Sequence, residues 1–238
     1  MIRDYVALDL ETTGLSPRKD YILEIGAVRV ADNKPVEKYT SFVDPGIPVP
    51  AHITELTGID NTMARSGRNI RPVMEEFLEF CENSVILGHN IPFDFGFLQQ
   101  NAANMGKNFP NLAIDTLQIA RKFLPGLPSR KLGDLCSYYG LTQTKRHRAY
   151  EDAEAASRLY QKLAEEFGGE DEKAFGPSKL FYAAKKESPI TNSQKVYLND
   201  LVKYHRIELN VSLDTLTKSQ ASRMIDRIIL QYGRIIKR

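Results

Sequence analysis

The chain has 238 residues, 42% of them hydrophobic, and a formal net charge of +2, a composition that is ordinary for a soluble protein with one sizeable core and a small appendage. No apolar run approaches the ~20 residues that cross a bilayer, and the first residues lead directly into a strand pattern rather than a signal peptide, so we expect a cytoplasmic protein. Cys81 and Cys136 lack metal-ligand spacing and are expected to be reduced core residues.

Hydrophobic periodicity predicts strands first and then alternating strands and helices, which indicates an α/β fold with a mixed sheet flanked by helices. The predicted strands lie near residues 4–10, 22–31, 36–43, 84–88 and 111–115. The predicted helices lie near residues 51–57, 70–83, 92–105, 115–124, 131–139 and 151–167. Two glycines and a charged run then interrupt the helical period, so residues 1–168 are expected to form one domain and residues 169–190 a linker.

Residues 191–238 are predicted to form a small basic helical module. Thr191 and Thr217 each begin a T-x-x-Q sequence, the form of a capping box at a helix start. Apolar residues follow at spacings of three and four: Leu198, Leu201 and Val202 in the first helix, and Ala221, Met224, Ile225, Ile228, Ile229 and Tyr232 in the second. We expect the two helices, joined by residues 207–213, to bury these faces against each other.

Charge separates the two parts of the chain. Residues 185–238 hold 11 Lys or Arg against 5 Asp or Glu, a net charge of +6, so the other 184 residues carry −4. The spacing of Arg223, Arg227 and Arg234 predicts one basic stripe, which could follow a phosphate backbone or could simply be a solvated face. We expect no comparable basic stripe in the first part, which leaves the electrostatic capture of an anionic substrate largely to bound metals and to the basic module.

Two carboxylates, Asp9 and Glu11, lie two residues apart in an apolar strand pattern. Side chains at this spacing point to the same face of a strand, so the two should converge. Like charges on a half-buried strand are costly unless a cation or proton neutralises them, and oxygen ligands suit Mg²⁺ or Mn²⁺ better than zinc. A solvent-facing pair is the alternative. The following turn, Thr12-Thr13-Gly14, could approach a phosphate or be an ordinary turn.

A third carboxylate, Asp94, falls in the first turn of a predicted helix, because Pro92 suits a helix start. Phe97 and Leu98 mark the buried face that Asp94 shares, so its carboxylate should point inward. The alternative is a helix-start charge favoured by the helix dipole alone. His89, in the loop before this helix, is expected to brace the loop rather than to catalyse.

A histidine and a fourth carboxylate, His147 and Asp152, come before the last long helix. Asp152 begins the apolar stripe of that helix and therefore faces the core. His147 lies outside the regular helix, and an imidazole with a pKa of about 6.5 is a natural general base beside metal-bound carboxylates. An uninvolved surface histidine is the alternative.

Three motifs in this order resemble those of the DEDD exonucleases, the group that includes the epsilon proofreading subunit of bacterial DNA polymerase III and ribonuclease T. The motifs are Asp9-x-Glu11, Asp94 after Gly88-His89-Asn90, and His147-x-x-x-x-Asp152. The histidine is typical of the DEDDh branch, whereas the sister branch has a tyrosine where this chain has Arg148. The resemblance covers residues 3–168 and implies a ribonuclease H-like fold. Many relatives have leucine and aspartate at the positions of Tyr150 and Glu151, which puts only local packing in doubt.

The resemblance implies two-metal-ion hydrolysis from a 3′ end, with release of nucleoside monophosphates. Asp9 would bridge two Mg²⁺ or Mn²⁺ ions, and Glu11 and Asp152 would complete the site of one. Asp94 would support the second ion, and His147 would take the proton of the attacking water. Six residues would contact the terminal nucleotide: Thr12, Thr13, Gly14, Leu56, Asn90 and Phe93. For Leu56, an ordinary core position without a contact to the nucleotide is an equally supported alternative.

The sequence therefore favours a DNA exonuclease of proofreading or repair that acts on single-stranded or frayed 3′ ends. An RNA-trimming enzyme similar to ribonuclease T or oligoribonuclease stays open within the enzyme class. A catalytically silent nucleic-acid-binding protein is the alternative of another class, although all five site residues are present. The chain shows no polymerase motif, so proofreading would need a polymerase or another replication or repair protein bound in trans.

Overall fold

The computed structural model describes residues 2–142, 147–209 and 212–236. The chain divides into two compact units, Met1–Ala184 and Lys185–Arg238. Within the described ranges, no helix combines the length and apolar character that crossing a bilayer requires.

A mixed sheet forms the centre of the first unit. Its strands are β1 (Tyr5–Thr12), β2 (Ile22–Ala31), β3 (Lys34–Phe42), β4 (Ile86–Gly88), β5 (Leu112–Asp115) and β6 (Ser178–Lys179). They are arranged in the order β3-β2-β1-β4-β5-β6. Strands β1, β2 and β3 pair antiparallel, β4 and β5 run parallel to β1, and β6 is an antiparallel edge strand. This arrangement confirms the expected mixed sheet, and it places β1 at its centre.

Helices cover both faces of this sheet. They are α1 (Ala51–Thr57), α2 (Asn61–Arg65), α3 (Ile70–Phe80), α4 (Ile91–Asn104), α5 (Thr116–Phe123), α6 (Leu132–Tyr138) and α7 (Ala149–Phe167). All but α2 were expected from periodicity. Helix α2 has only five residues, too few for a periodic pattern, and it begins because Asp60 accepts hydrogen bonds from the amides of Thr62 and Met63.

The side chains of β1 alternate between two cores. Val6 and Leu8 belong to the cluster that contains α3 and α4, whereas Tyr5 and Ala7 belong to the cluster that contains α7. Asp9 continues the register of Tyr5 and Ala7, so it emerges on the face that α7 covers. Cys81 and Cys136 are both buried, as expected.

Helix α7 crosses β2 at Gly26. A β-carbon at this glycine would lie 2.0 Å from the nitrogen of Tyr150 and 2.2 Å from the carbonyl carbon of Ala149. Gly26 is the register partner of Asp9 on the neighbouring strand. The missing side chain therefore lets the first turn of α7 approach the sheet directly beside Asp9.

Part of the segment 169–190, expected to be a linker, is folded in the first unit. A 3₁₀ turn at Glu172–Phe175 places Phe175 in the core, where the hydroxyl of Tyr160 donates a 3.0 Å hydrogen bond to its carbonyl oxygen. Residues 178 and 179 then pair with β5. Low apolar content concealed this packing because one buried aromatic ring and a short edge strand suffice to hold the segment. The two compact units divide after Ala184 instead.

The second unit contains α8 (Asn192–His205) and α9 (Lys218–Tyr232), and both expected capping boxes are present. The two helices bury a common core: Ile190, Leu198, Leu201, Leu216, Ala221, Met224 and Ile228. In the connection expected over 207–213, residues 210 and 211 lie outside the described residues. Tyr232 was expected on the buried face, but it is half exposed at the end of α9.

The expected stripe of three arginines is wrong for Arg234. Arg223 and Arg227 lie on α9, but the helix ends at Tyr232, and Gly233 follows with a φ of 90°. A glycine in this backbone region ends the helical repeat, so Arg234 does not continue the helical face.

Candidate active site

The central strand presents two of the four expected carboxylates. Asp9 is partly buried and Glu11 is buried, and on β2 their register partners are Gly26 and Glu24. Their side chains leave β1 on the same face, as expected from their spacing. The pair lies next to the start of α7 because that helix crosses the sheet at Gly26.

Asp94 joins them from the first turn of α4. Its carboxylate is buried, with 3% of the residue exposed, and Oδ1 accepts a 3.0 Å hydrogen bond from the amide of Leu10. Leu10 lies between Asp9 and Glu11, so this bond fixes Asp94 against the part of β1 that carries the other two carboxylates. The expected inward direction of Asp94 is confirmed.

The loop before α4 is braced by polar contacts. His89 pairs through Nδ1 with the hydroxyl of Thr116 at 2.9 Å and through Nε2 with the carbonyl oxygen of Arg130 at 2.8 Å. Asn90 has a φ of 69°, and its amide donates to Oδ1 of Asp115 at 2.9 Å. Both ring nitrogens of His89 are thus used in the loop, which fits the expected bracing role.

Asp152 and His147 come together at the start of α7. Asp152 is buried, and its Oδ2 accepts a 3.0 Å hydrogen bond from the amide of His147. His147 itself is exposed, outside the helix, with a φ of 59°. One ligand atom from each of Glu11, His147 and Asp152 lies within 4.8 Å of the others. The structure therefore brings the histidine to the carboxylates although it follows Glu11 by more than 130 residues.

Burial and mutual repulsion raise the pKa of every carboxyl in this cluster. Burial is the largest cause in each case: it raises the pKa of Glu11 to about 8, that of Asp94 to about 8 and that of Asp152 to about 6. The pKa of Asp9 is raised well above its ordinary value by burial and by the charges of Asp94, Asp152, Glu11 and Glu24. Ionisation of these four carboxyls is therefore unfavourable unless positive charge is bound nearby.

This donor set fits divalent cations. Four converging carboxylates offer hard oxygen ligands, the kind that Mg²⁺ and Mn²⁺ take. Burial, which is the main cause of their raised pKa values, disfavours the ionised carboxylates, and bound cations would offset this cost. The nearby imidazole of His147 adds a nitrogen donor. Such a mixed set can also accept transition ions such as Mn²⁺ or zinc.

Three of the four carboxylates lie in a cleft of about 710 Å³ whose lining also contains basic residues. Its lining includes Asp9, Glu11, His147 and Asp152, and also Arg121, Arg130 and Lys131. The guanidinium of Arg130 donates to the carbonyl oxygens of Leu124 and Pro125, whereas Arg121 and Lys131 are exposed. The expectation that this part of the chain lacks a basic surface is therefore wrong. The signal was present as Arg121 and the pair Arg130-Lys131, but only the fold places these residues in the lining of the carboxylate cleft.

The six residues expected to contact a nucleotide differ in burial and in whether they line the cleft. Asn90 lines the cleft. Thr12 and Thr13 are buried at the end of β1, where the hydroxyl of Thr12 donates to the carbonyl oxygen of Gly14. Their hydroxyls are thus engaged within the turn, because that of Thr13 accepts from the amide of Tyr21.

Two apolar members of that set differ in exposure. Leu56 is 54% exposed on α1, which rules out the core alternative for this residue. Phe93 is partly buried, with its ring centroid 5.2 Å from that of Phe97. Leu56 is therefore free to meet a ligand, and Phe93 is held in place by a neighbouring ring.

Two further residues at the site were not expected from the sequence. The guanidinium of Arg148, directly after His147, forms a bidentate pair with the buried carboxylate of Glu24. No local sequence pattern indicates this contact, because the two residues are 124 positions apart.

Comparisons with known proteins concern the family and the fold of the chain. Residues 6–160 match the family described as Exonuclease (RNase_T). A DNA polymerase III of the PolC type from Clostridium perfringens is 37% identical over 191 residues, which cover 79% of this chain and 13% of that protein. The chain thus spans about an eighth of the length of this curated relative.

Solved structures share the fold at lower identity. E. coli exonuclease I in complex with a dA16 oligonucleotide matches with a TM-score of 0.61 and 20% identity, over 73% of this chain and 42% of that one. Exonuclease X in complex with 5′ overhanging duplex DNA matches with a TM-score of 0.58 and 24% identity, over 69% of this chain and 93% of that one. At these identities, both likenesses concern the fold.

Proposed function

The chain belongs to the Exonuclease family, and we propose that it removes nucleoside monophosphates from the 3′ ends of DNA by metal-dependent phosphodiester hydrolysis. The observation that carries the proposal is the convergence of Asp9, Glu11, Asp94 and Asp152 with His147, four of these five lining one cleft that also has basic residues in its lining. The cleft offers what a phosphodiester hydrolase needs: ligands for cations, a proton acceptor and positive charge for an anionic strand.

The four carboxylates would hold two Mg²⁺ or Mn²⁺ ions, which when bound supply positive charge to the scissile phosphate and the leaving oxygen. Asp9 would serve both ions, Glu11 and Asp152 one of them, and Asp94 the other. The imidazole of His147 would accept the proton of the attacking water, a role that suits its exposed position at the mouth of the cleft.

The substrate would enter as a single strand or a frayed end. We propose that Thr12, Thr13, Gly14, Leu56, Asn90 and Phe93 contact the terminal nucleotide. The position of Asn90 in the cleft and the exposure of Leu56 support this assignment. The relatives named as DNA polymerase III and the structures named with DNA favour DNA over RNA, and proofreading or repair with a replication protein as partner.

The test is a time course with 5′-labelled single-stranded DNA and RNA in Mg²⁺, Mn²⁺ or EDTA. We expect stepwise shortening of DNA from the 3′ end that needs a metal and that Asp9→Asn and His147→Ala each abolish. Asp32→Asn, which changes an exposed acid after β2 in the same way, should leave the rate unchanged. Faster shortening of RNA would favour the RNA-trimming alternative. Tight binding without cleavage in any metal would favour the alternative of a catalytically silent nucleic-acid-binding protein.

For the second unit, we propose that Arg223, Arg227 and Arg234 contact nucleic acid. The unit's net charge of +6 supports this, although only the first two arginines share a helix. In the full chain, Arg223→Gln with Arg227→Gln should weaken binding of single-stranded DNA and lower its salt dependence by about 0.7 per lost phosphate contact. The matched pair Arg65→Gln with Arg71→Gln, in the first unit, should not. Equal effects of both pairs would contradict a contact specific to the second unit.

A further inference from the structure

A buried ion pair lies directly behind the proposed general base. The carboxylate of Glu24 on β2 accepts hydrogen bonds of 2.9 Å and 3.1 Å from two nitrogens of the Arg148 guanidinium. The Glu24 side chain is 1% exposed and that of Arg148 28% exposed. A bidentate arrangement fixes both the distance and the orientation of the two groups, which a single contact does not.

The pair joins the central sheet to the segment that carries His147. Glu24 is the register partner of Glu11, and its Oε2 also accepts from the amide of Ala149 at 3.4 Å. Arg148 is covalently next to His147 and is the residue from which α7 starts. Both oxygens of Glu24 thus accept hydrogen bonds from the segment Arg148–Ala149, and Glu24 ties that segment to β2.

The position of His147 depends on its backbone, because its side chain reaches solvent. Its side chain is exposed, and its backbone has a φ of 59°, a region that costs free energy for residues other than glycine. Its amide is bonded to Asp152 at 3.0 Å, and the amide of Asp152 is bonded in turn to the carbonyl oxygen of Arg148 at 3.0 Å. Fixing Arg148 to the sheet therefore constrains the chain on the C-terminal side of His147, where Arg148 and Asp152 both lie.

We infer that Glu24 and Arg148 are positioning residues, whose ion pair holds His147 where its imidazole can accept the proton of the attacking water. This inference rests on the proposed function, since it assigns the pair a role in the same reaction. The pair acts through His147 and touches neither the substrate nor the ions. Its loss should therefore lower kcat while KM for the DNA 3′ end stays nearly constant.

Glu24→Gln is the first variant, because it keeps the shape of the side chain. The charge of Arg148 that it leaves unpaired can be solvated, since the Arg148 side chain is partly exposed. We expect kcat to fall by about 10²-fold, the size expected for a misplaced catalytic group. Arg148→Lys keeps the charge but loses the bidentate geometry, and it should give a smaller fall in kcat. The matched control is Glu76→Gln, which breaks another bidentate pair with Arg68 at 2.7 Å and 2.5 Å on the surface, and kcat should not change.

The decisive measurement combines Glu24→Gln with His147→Ala. If the pair acts only through His147, the double variant is as slow as His147→Ala alone, within about twofold. If the two losses multiply, the pair supports the fold or the carboxylates rather than the histidine, and the inference is overturned. If His147→Ala leaves the rate unchanged, the proposed role of the histidine fails instead, which separates the two failures.

A second measurement does not depend on activity. Amide hydrogen exchange in Glu24→Gln should become faster in the peptide that covers residues 147–152 and stay as in the parent protein over β1 and α4. Faster exchange across the whole first unit would make the pair a general stabiliser and overturn the inference. Unchanged exchange at 147–152 would also overturn it. These exchange results can be interpreted even if the parent protein degrades no nucleic acid.

Discussion

The amide of Leu10 and the carboxylate of Asp94 are joined by a 3.0 Å hydrogen bond that links the central strand to the first turn of α4. Leu10 lies between two carboxylate residues of β1, so the bond holds a third carboxylate beside them. Hydrogen bonds from the amides of Leu10 and of its own turn lower the pKa of Asp94, but burial outweighs them and raises it to about 8. One carboxylate therefore has two separable properties: an acceptor that ties two elements together, and a charge that the site disfavours without cations.

Two substitutions of Asp94 should separate these properties. Asp94→Asn keeps an oxygen that can accept from Leu10 but loses the charge, so we expect kcat to fall by at least about 100-fold. The free energy of unfolding in EDTA at pH 8 should stay equal or rise. Asp94→Leu also loses the acceptor, and the buried amide of Leu10 left without a partner should lower the free energy of unfolding by about 1–3 kcal/mol.

Urea denaturation and single-turnover cleavage of the two variants, side by side, provide the check. A similar loss of stability in both variants would mean that the hydrogen bond between the amide of Leu10 and position 94 does not contribute to the free energy of unfolding. Full activity of Asp94→Asn would remove Asp94 from the proposed cation site.

The metal-free protein should lose stability as the pH rises. Glu11 has an ordinary pKa of 4.5 that the fold raises to about 8, and Asp94 has one of 3.8 that is raised to about 8. Between these values the folded protein binds protons that the unfolded chain has released. The contribution of these groups is therefore fully present below about pH 4 and is lost as the pH rises through about 8, by at most ~1.4 kcal/mol per pH unit for each group.

Denaturation in EDTA at pH 6, 7 and 8 measures this slope. Glu11→Gln should make it shallower, because it removes one raised group and lowers the repulsion on the others. Glu55→Gln, at an exposed position of α1, should keep the parent slope. Saturating Mn²⁺ should stabilise the protein more at pH 8 than at pH 6, since cations compete with protons for the same oxygens. A metal effect that is independent of pH would contradict this linkage.

Gly26 should tolerate no side chain. Gly26→Ala would place a β-carbon 2.0 Å from the nitrogen of Tyr150, so either the first turn of α7 moves away from the sheet or the strand distorts. We expect the free energy of unfolding to fall by about 3 kcal/mol or more, together with a loss of cleavage, because Asp152 would move away from Asp9.

Gly126→Ala is the matched control, since a β-carbon at Gly126 meets nothing within 4 Å. It should change neither the denaturation midpoint nor the rate of cleavage. A Gly26→Ala protein that is as stable and active as the parent would show that α7 does not need its close approach to β2.

Much of the fold and most of the site could be predicted from local patterns. The spacing of Asp9 and Glu11 on a strand and the place of Asp94 at a helix start are encoded within a few residues, and the structure brings these side chains together as expected. The capping boxes at Thr191 and Thr217 are equally local, because each depends on a side chain and an amide three residues apart.

The features that were missed depend on distant parts of the chain. The pairing of Glu24 with Arg148 spans 124 positions and follows only from the crossing of α7 over β2. Arg121, Arg130 and Lys131 lie close together in sequence, on α5 and in the loop before α6, but their place beside the carboxylates of β1 and α7 follows only from the fold. Phe175 and β6 were read as linker because composition averages over residues, whereas burial depends on one aromatic ring and its partners.

The basic residues of the cleft provide the last prediction. Arg121 and Lys131 are exposed and line the same cleft as Asp9, Glu11 and Asp152, so we expect them to contact phosphates further along a bound strand. Contacts of this kind hold substrate and transition state equally, so Arg121→Gln with Lys131→Gln should raise KM for single-stranded DNA about tenfold or more and change kcat little. The dependence of kcat/KM on salt should also become weaker, by about 0.7 for each phosphate contact that is lost.

The control Arg65→Gln with Lys107→Gln removes the same charge from exposed positions on α2 and after α4, and it should leave KM unchanged at moderate salt. A mononucleotide ester, which has no phosphates further along, should be cleaved by the Arg121 and Lys131 variant at the parent rate. If the ester is cleaved as poorly as the polymer, these two side chains act at the scissile phosphate rather than along the strand.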